Sequence, residues 1–95
     1  MRYTWDPEKD ALNRRKHGLS LAEGIPALRD PNMDFWTDDR FDYGEERVVT
    51  LGKGKTRILV VVTTVREFDN TRIISVRKAD GDETSWYYFG RPRAW

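Results

Sequence analysis

Two groups of side chains in this chain are of types that handle phosphate and protons. The first lies in Thr71-Arg72-Ile73-Ile74-Ser75-Val76-Arg77-Lys78-Ala79, a β-branched run that a strand built only for packing would not interrupt with two arginines and a serine. On strict alternation Thr71, Ile73, Ser75 and Arg77 share one face of a sheet, and Arg72, Ile74, Val76 and Lys78 share the other. Both faces then end in a cation. A guanidinium matches phosphate oxygens bidentately, and arginine outnumbers lysine twelve to five here, which favours phosphate recognition. A snorkelling or salt-bridged rim residue is the alternative for each arginine taken singly. The second group is Lys16-His17. His17 is the only histidine, and an imidazole that titrates near neutrality suits general acid–base work. Its structural alternative is a last-turn residue facing the helix dipole, and Lys16 is equally either a solvated lysine or a phosphate contact.

Other chemistries lack their parts. There is no cysteine and one histidine, so a metal site would need a carboxylate cage, and Asp38-Asp39…Asp42 has neither the spacing nor the glycine of a calcium loop. No glycine-rich phosphate loop is present, and no nucleophile–base pair for a serine or cysteine hydrolase can be assembled. We expect no cofactor and no metal. The absence of cysteine excludes a disulfide scaffold, Met1–Asp6 lacks the apolar core of a signal peptide, and the run Ile58–Val62 is too short to span a bilayer. A soluble cytoplasmic protein away from membranes is the expectation.

Helices and a small sheet must position these groups. The chain has 95 residues, enough for a single domain, assigned to 1–90 with 91–95 as a tail. Asp6 before Pro7 caps a first helix, which Lys16-His17-Gly18 closes with a basic last turn and a left-handed cap. Ser20-Leu21-Ala22-Glu23 is a capping box, so a second helix spans Leu21 to Leu28, shortened or kinked by Pro26. Strands are expected at Asp34–Thr37, Glu46–Gly52, Arg57–Arg66 and Thr71–Lys78, and a last helix between Asp80 and Phe89. Short connections make the sheet antiparallel. The fold class is α+β: two N-terminal helices, an antiparallel meander of about four strands, and a C-terminal helix. An even loop at Glu67–Asn70 would put Thr64, Arg66, Ser75 and Arg77 on one face as a cationic cluster, whereas an odd loop would pair Arg66 with Arg72.

The net charge of +1 conceals a sorted distribution. Asp30, Asp34, Asp38, Asp39, Asp42, Glu45 and Glu46 crowd one stretch, and Arg47, Lys53, Lys55, Arg57, Arg66, Arg72, Arg77 and Lys78 follow it. This fits a polyanion-binding surface beside an acidic loop, or two mutually neutralised surfaces.

The chain resembles the BrnT family of bacterial toxins. The likeness rests on Tyr3…Trp5-Asp6-Pro7, Asn13, Lys16-His17-Gly18, Asp30-Pro31, Asp39-Arg40-Phe41-Asp42-Tyr43-Gly44-Glu45-Glu46-Arg47, Thr64-Val65-Arg66, Arg72 through Ala79, and Glu83 with Tyr87. Gly24, where small alanine-like residues are usual, and Gly81 depart from the pattern, and Arg91–Trp95 lies beyond it. The resemblance implies a RelE-like fold and a metal-independent ribonuclease toxin of a type II toxin–antitoxin pair. It also implies RNA as substrate and a DNA-binding BrnA-like antitoxin as partner, with a higher-order complex on operator DNA. On that reading Arg66 and Arg77 stabilise the phosphate, and Arg72, Arg47 and Lys78 bind RNA. His17, Lys16, Glu46 and Tyr87 are the candidates for proton transfer, with Glu46 alternatively an ion-pair partner of Arg47 and Tyr87 a stacking platform or a core residue. Trp5, Trp36, Trp86 and Tyr88 are assigned to the core or an interface. As a solvent-facing cation, Arg77 is expected to matter little for stability, within about 1 kcal/mol. A non-catalytic RNA- or protein-binding module on the same scaffold is the competing account.

Overall fold

The computed structural model describes residues 2–39, 44–67 and 69–92. The chain runs β1 (Arg2–Thr4), α1 (Pro7–His17), a 3-10 turn (Leu21–Gly24), α2 (Ile25–Leu28), β2 (Asp34–Asp38), β3 (Arg47–Lys53), β4 (Ile58–Glu67), β5 (Asn70–Lys78) and α3 (Gly81–Phe89). The strands form one five-stranded sheet in the order β1-β5-β4-β3-β2. The α+β class is as expected, with two corrections. The sheet is mixed, because β1 pairs parallel to β5 through Arg2↔Asn70, Tyr3↔Thr71 and Thr4↔Arg72. Three residues are too few to show a period, and the pairing is held by a partner nearly seventy positions away. The second helix is a 3-10 turn followed by one α turn, since Pro26 has no N–H to continue a single α-helical ladder.

Local chemistry accounts for the elements beside the site. The Asp6 side chain accepts the Glu8 N–H at 2.9 Å to start α1, and Gly18, at φ 73°, accepts the left-handed cap that ends it at His17. Helix α1 is polar almost throughout, so it docks by hydrogen bonds. Asn13 is 6% exposed; its amide donates to the carbonyls of Val76 and Leu19 and accepts the Val76 N–H, substituting for a strand at the β5 edge beyond the end of β1. Asn13→Ala would leave those β5 groups and the Leu19 carbonyl buried without partners. We expect a loss of about 3 kcal/mol in urea unfolding, with β5 amide exchange accelerated around Val76.

The sheet divides the apolar residues into two clusters. One face carries Leu59, Val61, Ile73 and Val76 beneath Leu21, Ala27 and the partly buried Tyr3, Trp5, Leu19, Ile25 and Leu28. Close approach here needs Gly24, where a Cβ would sit 2.8 Å from a Val76 methyl, and Gly52, where it would collide with the Ala27 carbonyl. The opposite face carries Val49, Leu51, Ile58 and Val60 against Trp36, Val62, Ala79, Trp86 and Tyr87, so α3 covers it only in part.

A bulge overturns the strict alternation of β5. Val62 pairs with Ser75 but Thr63 pairs with Ile73, leaving Ile74 as an extra residue. Ile73 and Val76 therefore share the core face, and Arg72 joins Ser75 and Arg77 on the face that α3 partly covers. A second irregularity falls at Arg66, between the Val65↔Thr71 and Glu67↔Asn70 pairs. Because Arg77 pairs with Val60, six positions down β4 from Arg66, the two arginines stand about 20 Å apart along the sheet. The expected Thr64–Arg66–Ser75–Arg77 cluster does not form.

Candidate active site

Beside α3 the sheet face stays open as a crevice of about 560 Å³, within the range that holds a small ligand. Val49, Val60, Val62 and Ser75 floor it. The end of α1 supplies Lys16 and His17 on one side, α3 supplies Glu83 and Trp86, and β2 supplies Trp36 to Asp38 with Asp39. Lys16 and His17 thus meet Arg77, distant from them in sequence, over a floor of three valines and a serine. Asn13 fixes this juxtaposition, since it pins α1 to Val76 one turn before His17.

Burial, first, and then the nearby cations Lys16 and Arg77 hold His17 below its ordinary value of 6.5. Its imidazole is accordingly neutral at pH 7, the form that can accept a proton. Arg77 reaches Glu83 with both terminal nitrogens at 2.7 Å, and one of them also donates to the Lys78 carbonyl at 3.2 Å. Glu83 is 8% exposed and doubly tied to Asp80: it accepts the Asp80 N–H and donates its own N–H to the Asp80 carboxylate in the capping box that starts α3. The Arg77 guanidinium holds the Glu83 carboxyl below its usual range. Arg77 is therefore a positioned cation joining the sheet to α3, which corrects the expectation of a solvent-facing residue whose loss is cheap.

The other candidate residues fall outside the crevice. Arg47 pairs with Asp38 across β3 and β2, and Thr64 with Arg72 across β4 and β5, so a row of polar side chains extends the same sheet face beyond the crevice. Glu45 rather than Glu46 bridges Arg47 at 3.6 Å and Arg66 at 3.5 Å. Glu46 is exposed, and its carbonyl accepts the Thr64 hydroxyl at 2.7 Å. Arg72 lies 4.0 Å from Asp6. Lys78 pairs with Leu59 and faces the opposite side of the sheet from Arg77. Tyr87 packs on the second core cluster and donates a short hydrogen bond to Asp30, which pushes its phenol up to about 12. Asp30 also accepts the N–H groups of Asn32 and Lys53, so Tyr87 completes an anchor for the β2–β3 end of α3. Tyr87→Phe should lower stability by about 1 kcal/mol and leave catalytic turnover within two-fold, read by urea unfolding and a cleavage assay.

Sequence reasoning missed the walls formed by Trp36, Trp86 and Asp38 and the Glu83 partner of Arg77. Alternation in Asp34-Phe35-Trp36-Thr37-Asp38 was the available signal, since it puts Trp36 and Asp38 on one face.

The description "Ribonuclease toxin, BrnT, of type II toxin-antitoxin system" belongs to a family model that matches residues 5–83. No curated protein matches the sequence. Among solved structures, the 1.1 Å crystal structure of the Brucella abortus ribonuclease toxin BrnT is similar, with 23% identity and a TM-score of 0.67 over 84% of this chain and 97% of that one. At that identity the likeness carries the fold.

Proposed function

This chain belongs to the BrnT family of ribonuclease toxins of type II toxin–antitoxin systems, and we propose that it cuts RNA in the crevice between α1, α3 and β2 by a metal-independent reaction of its own side chains. The observation that carries this reading is the meeting of His17, Lys16 and Arg77 in one crevice. His17 removes the 2′-hydroxyl proton, the 2′-oxygen attacks the adjacent phosphorus, and the P–O5′ bond breaks. Lys16 and Arg77 stabilise the negative charge that builds on the phosphorane, with Glu83 positioning Arg77. The imidazolium or Lys16 returns a proton to the leaving 5′-oxygen. The products are a 2′,3′-cyclic phosphate and a 5′-hydroxyl. Arg47, Arg66 and Arg72, along the same end of the sheet, guide the flanking backbone. Glu46 and Tyr87 take no part in proton transfer on this reading, because neither lines the crevice.

A type II toxin has an antitoxin partner; here we assign a BrnA-like DNA-binding protein that brings acidic or amphipathic segments against the cationic face and assembles with the toxin on operator DNA. Among the described residues no helix is long and apolar enough to cross a membrane, and we place the pair in the cytoplasm. Purified protein should cleave RNA in excess EDTA and leave cyclic-phosphate ends. Activity lost to chelator and restored by magnesium would overturn the mechanism, and binding without cleavage would favour the non-catalytic module.

A further inference from the structure

Trp36 has no part in the reaction just described, yet it forms a wall of the crevice and its ring is held in place. The Arg91 guanidinium, following α3, stacks over the indole 4.2 Å from its centroid and lies 3.5 Å from Asp34, two residues before Trp36 on the same face of β2. An ordinary surface tryptophan needs no such clamp. Across the floor of Val49, Val62 and Ser75 stand Lys16, His17 and Arg77. The crevice is thus divided: Lys16, His17 and Arg77 line the α1 and β5 side, and an aromatic ring held by Arg91 stands on the β2 side. Asp38 and Asp39 line the crevice on the Trp36 side.

Resting on the RNA-cleavage reading above, we infer that Trp36 is the base-binding platform of this enzyme: an unpaired nucleobase stacks on the indole, held from its other side by Arg91, while the scissile phosphate lies at Lys16, His17 and Arg77. The substrate class is single-stranded RNA. A paired base must first be unstacked and unpaired at a cost before it can lie on the indole, so a single strand is preferred to duplex.

Binding of a mixed-sequence, fully 2′-O-methylated single-stranded RNA, which cannot be cut, separates recognition from chemistry. Trp36→Phe keeps a stacking ring and should bind within about three-fold of wild type, whereas Trp36→Leu keeps apolar bulk without a ring and should bind at least ten-fold more weakly. The wild-type protein should prefer this strand over its duplex by at least ten-fold. Thermal melting of both variants checks that they fold. Equal binding by the leucine and phenylalanine variants, or equal binding of duplex, overturns the platform while leaving the nuclease reading intact if wild type still cuts unmodified RNA. Wild type that neither binds nor cuts RNA overturns both.

Discussion

Arg77→Ala is expected to fail twice, losing about 2–3 kcal/mol of stability and a further factor of 10²–10³ in cleavage by whatever protein remains folded. The stability loss follows from Glu83, which is 8% exposed and would be left with its charge buried after both guanidinium contacts at 2.7 Å are removed. A fully buried pair would cost more; Arg77 keeps 40% of its side chain in water, which screens the interaction. The loss should depend on pH in a definite direction. Arg77 holds the Glu83 carboxyl below its usual value of 4.5, so the pair contributes stability that is present above that value and disappears as pH falls through the lowered one. Urea unfolding should therefore show the variant and wild type converging in acid. Arg77→Lys, which keeps the charge but not the bidentate geometry, should fall between them. A variant as stable as wild type at pH 7 would show that Glu83 does not rely on Arg77.

His17→Ala should behave in the opposite way, with stability nearly unchanged and turnover reduced by about 10²–10⁴, the usual worth of a general base. Burial and the neighbouring cations lower the imidazole pKa from 6.5. The acid limb of the wild-type rate profile should then lie below the ordinary histidine value, and that limb should be missing from the residual activity of the variant. The same shift has a small structural signature. Between the unfolded and folded values the native state binds less proton than the unfolded one, so wild type loses stability as pH drops below 6.5, and the alanine variant escapes that loss.

How much of this was legible in sequence depended on how local the determinant is. The ends of α1 were readable because Asp6, Pro7 and Gly18 act on backbone groups within a few residues of themselves. The four long strands and α3 announced themselves by β-branched runs, short turns and the acidic residues that open α3. Strand β1 did not, since three residues become a strand only when β5 is there to receive them. The bulge at Ile74 was equally hidden; alternation assumes that no residue is inserted, and one insertion moved Arg72 to the face of Ser75 and Arg77.

For the site, residue type was the good guide and position the poor one. Lys16, His17 and Arg77 were identifiable as groups able to handle a phosphate and a proton, and the fold brings all three to one crevice. Arg66 and Tyr87 were chosen on the same grounds, but Arg66 lies at the far end of β4 beside Glu45, and Tyr87 faces Asp30. What separates the two sets is tertiary: the angle at which Asn13 docks α1 on β5, and the turn of α3 that presents Trp86 and Glu83 to the crevice. No pattern in single residues encodes those angles.

The central claim, that the neutral His17 imidazole takes the proton from the attacking 2′-hydroxyl, is tested most directly by replacing that imidazole with one from solution. RNA cleavage by His17→Gly, followed in EDTA with added imidazole, should recover in proportion to imidazole concentration and track the titration of free imidazole, because the crevice retains Lys16, Arg77 and the space the side chain vacates. A glycine variant that cuts RNA at the wild-type rate without imidazole would contradict the account.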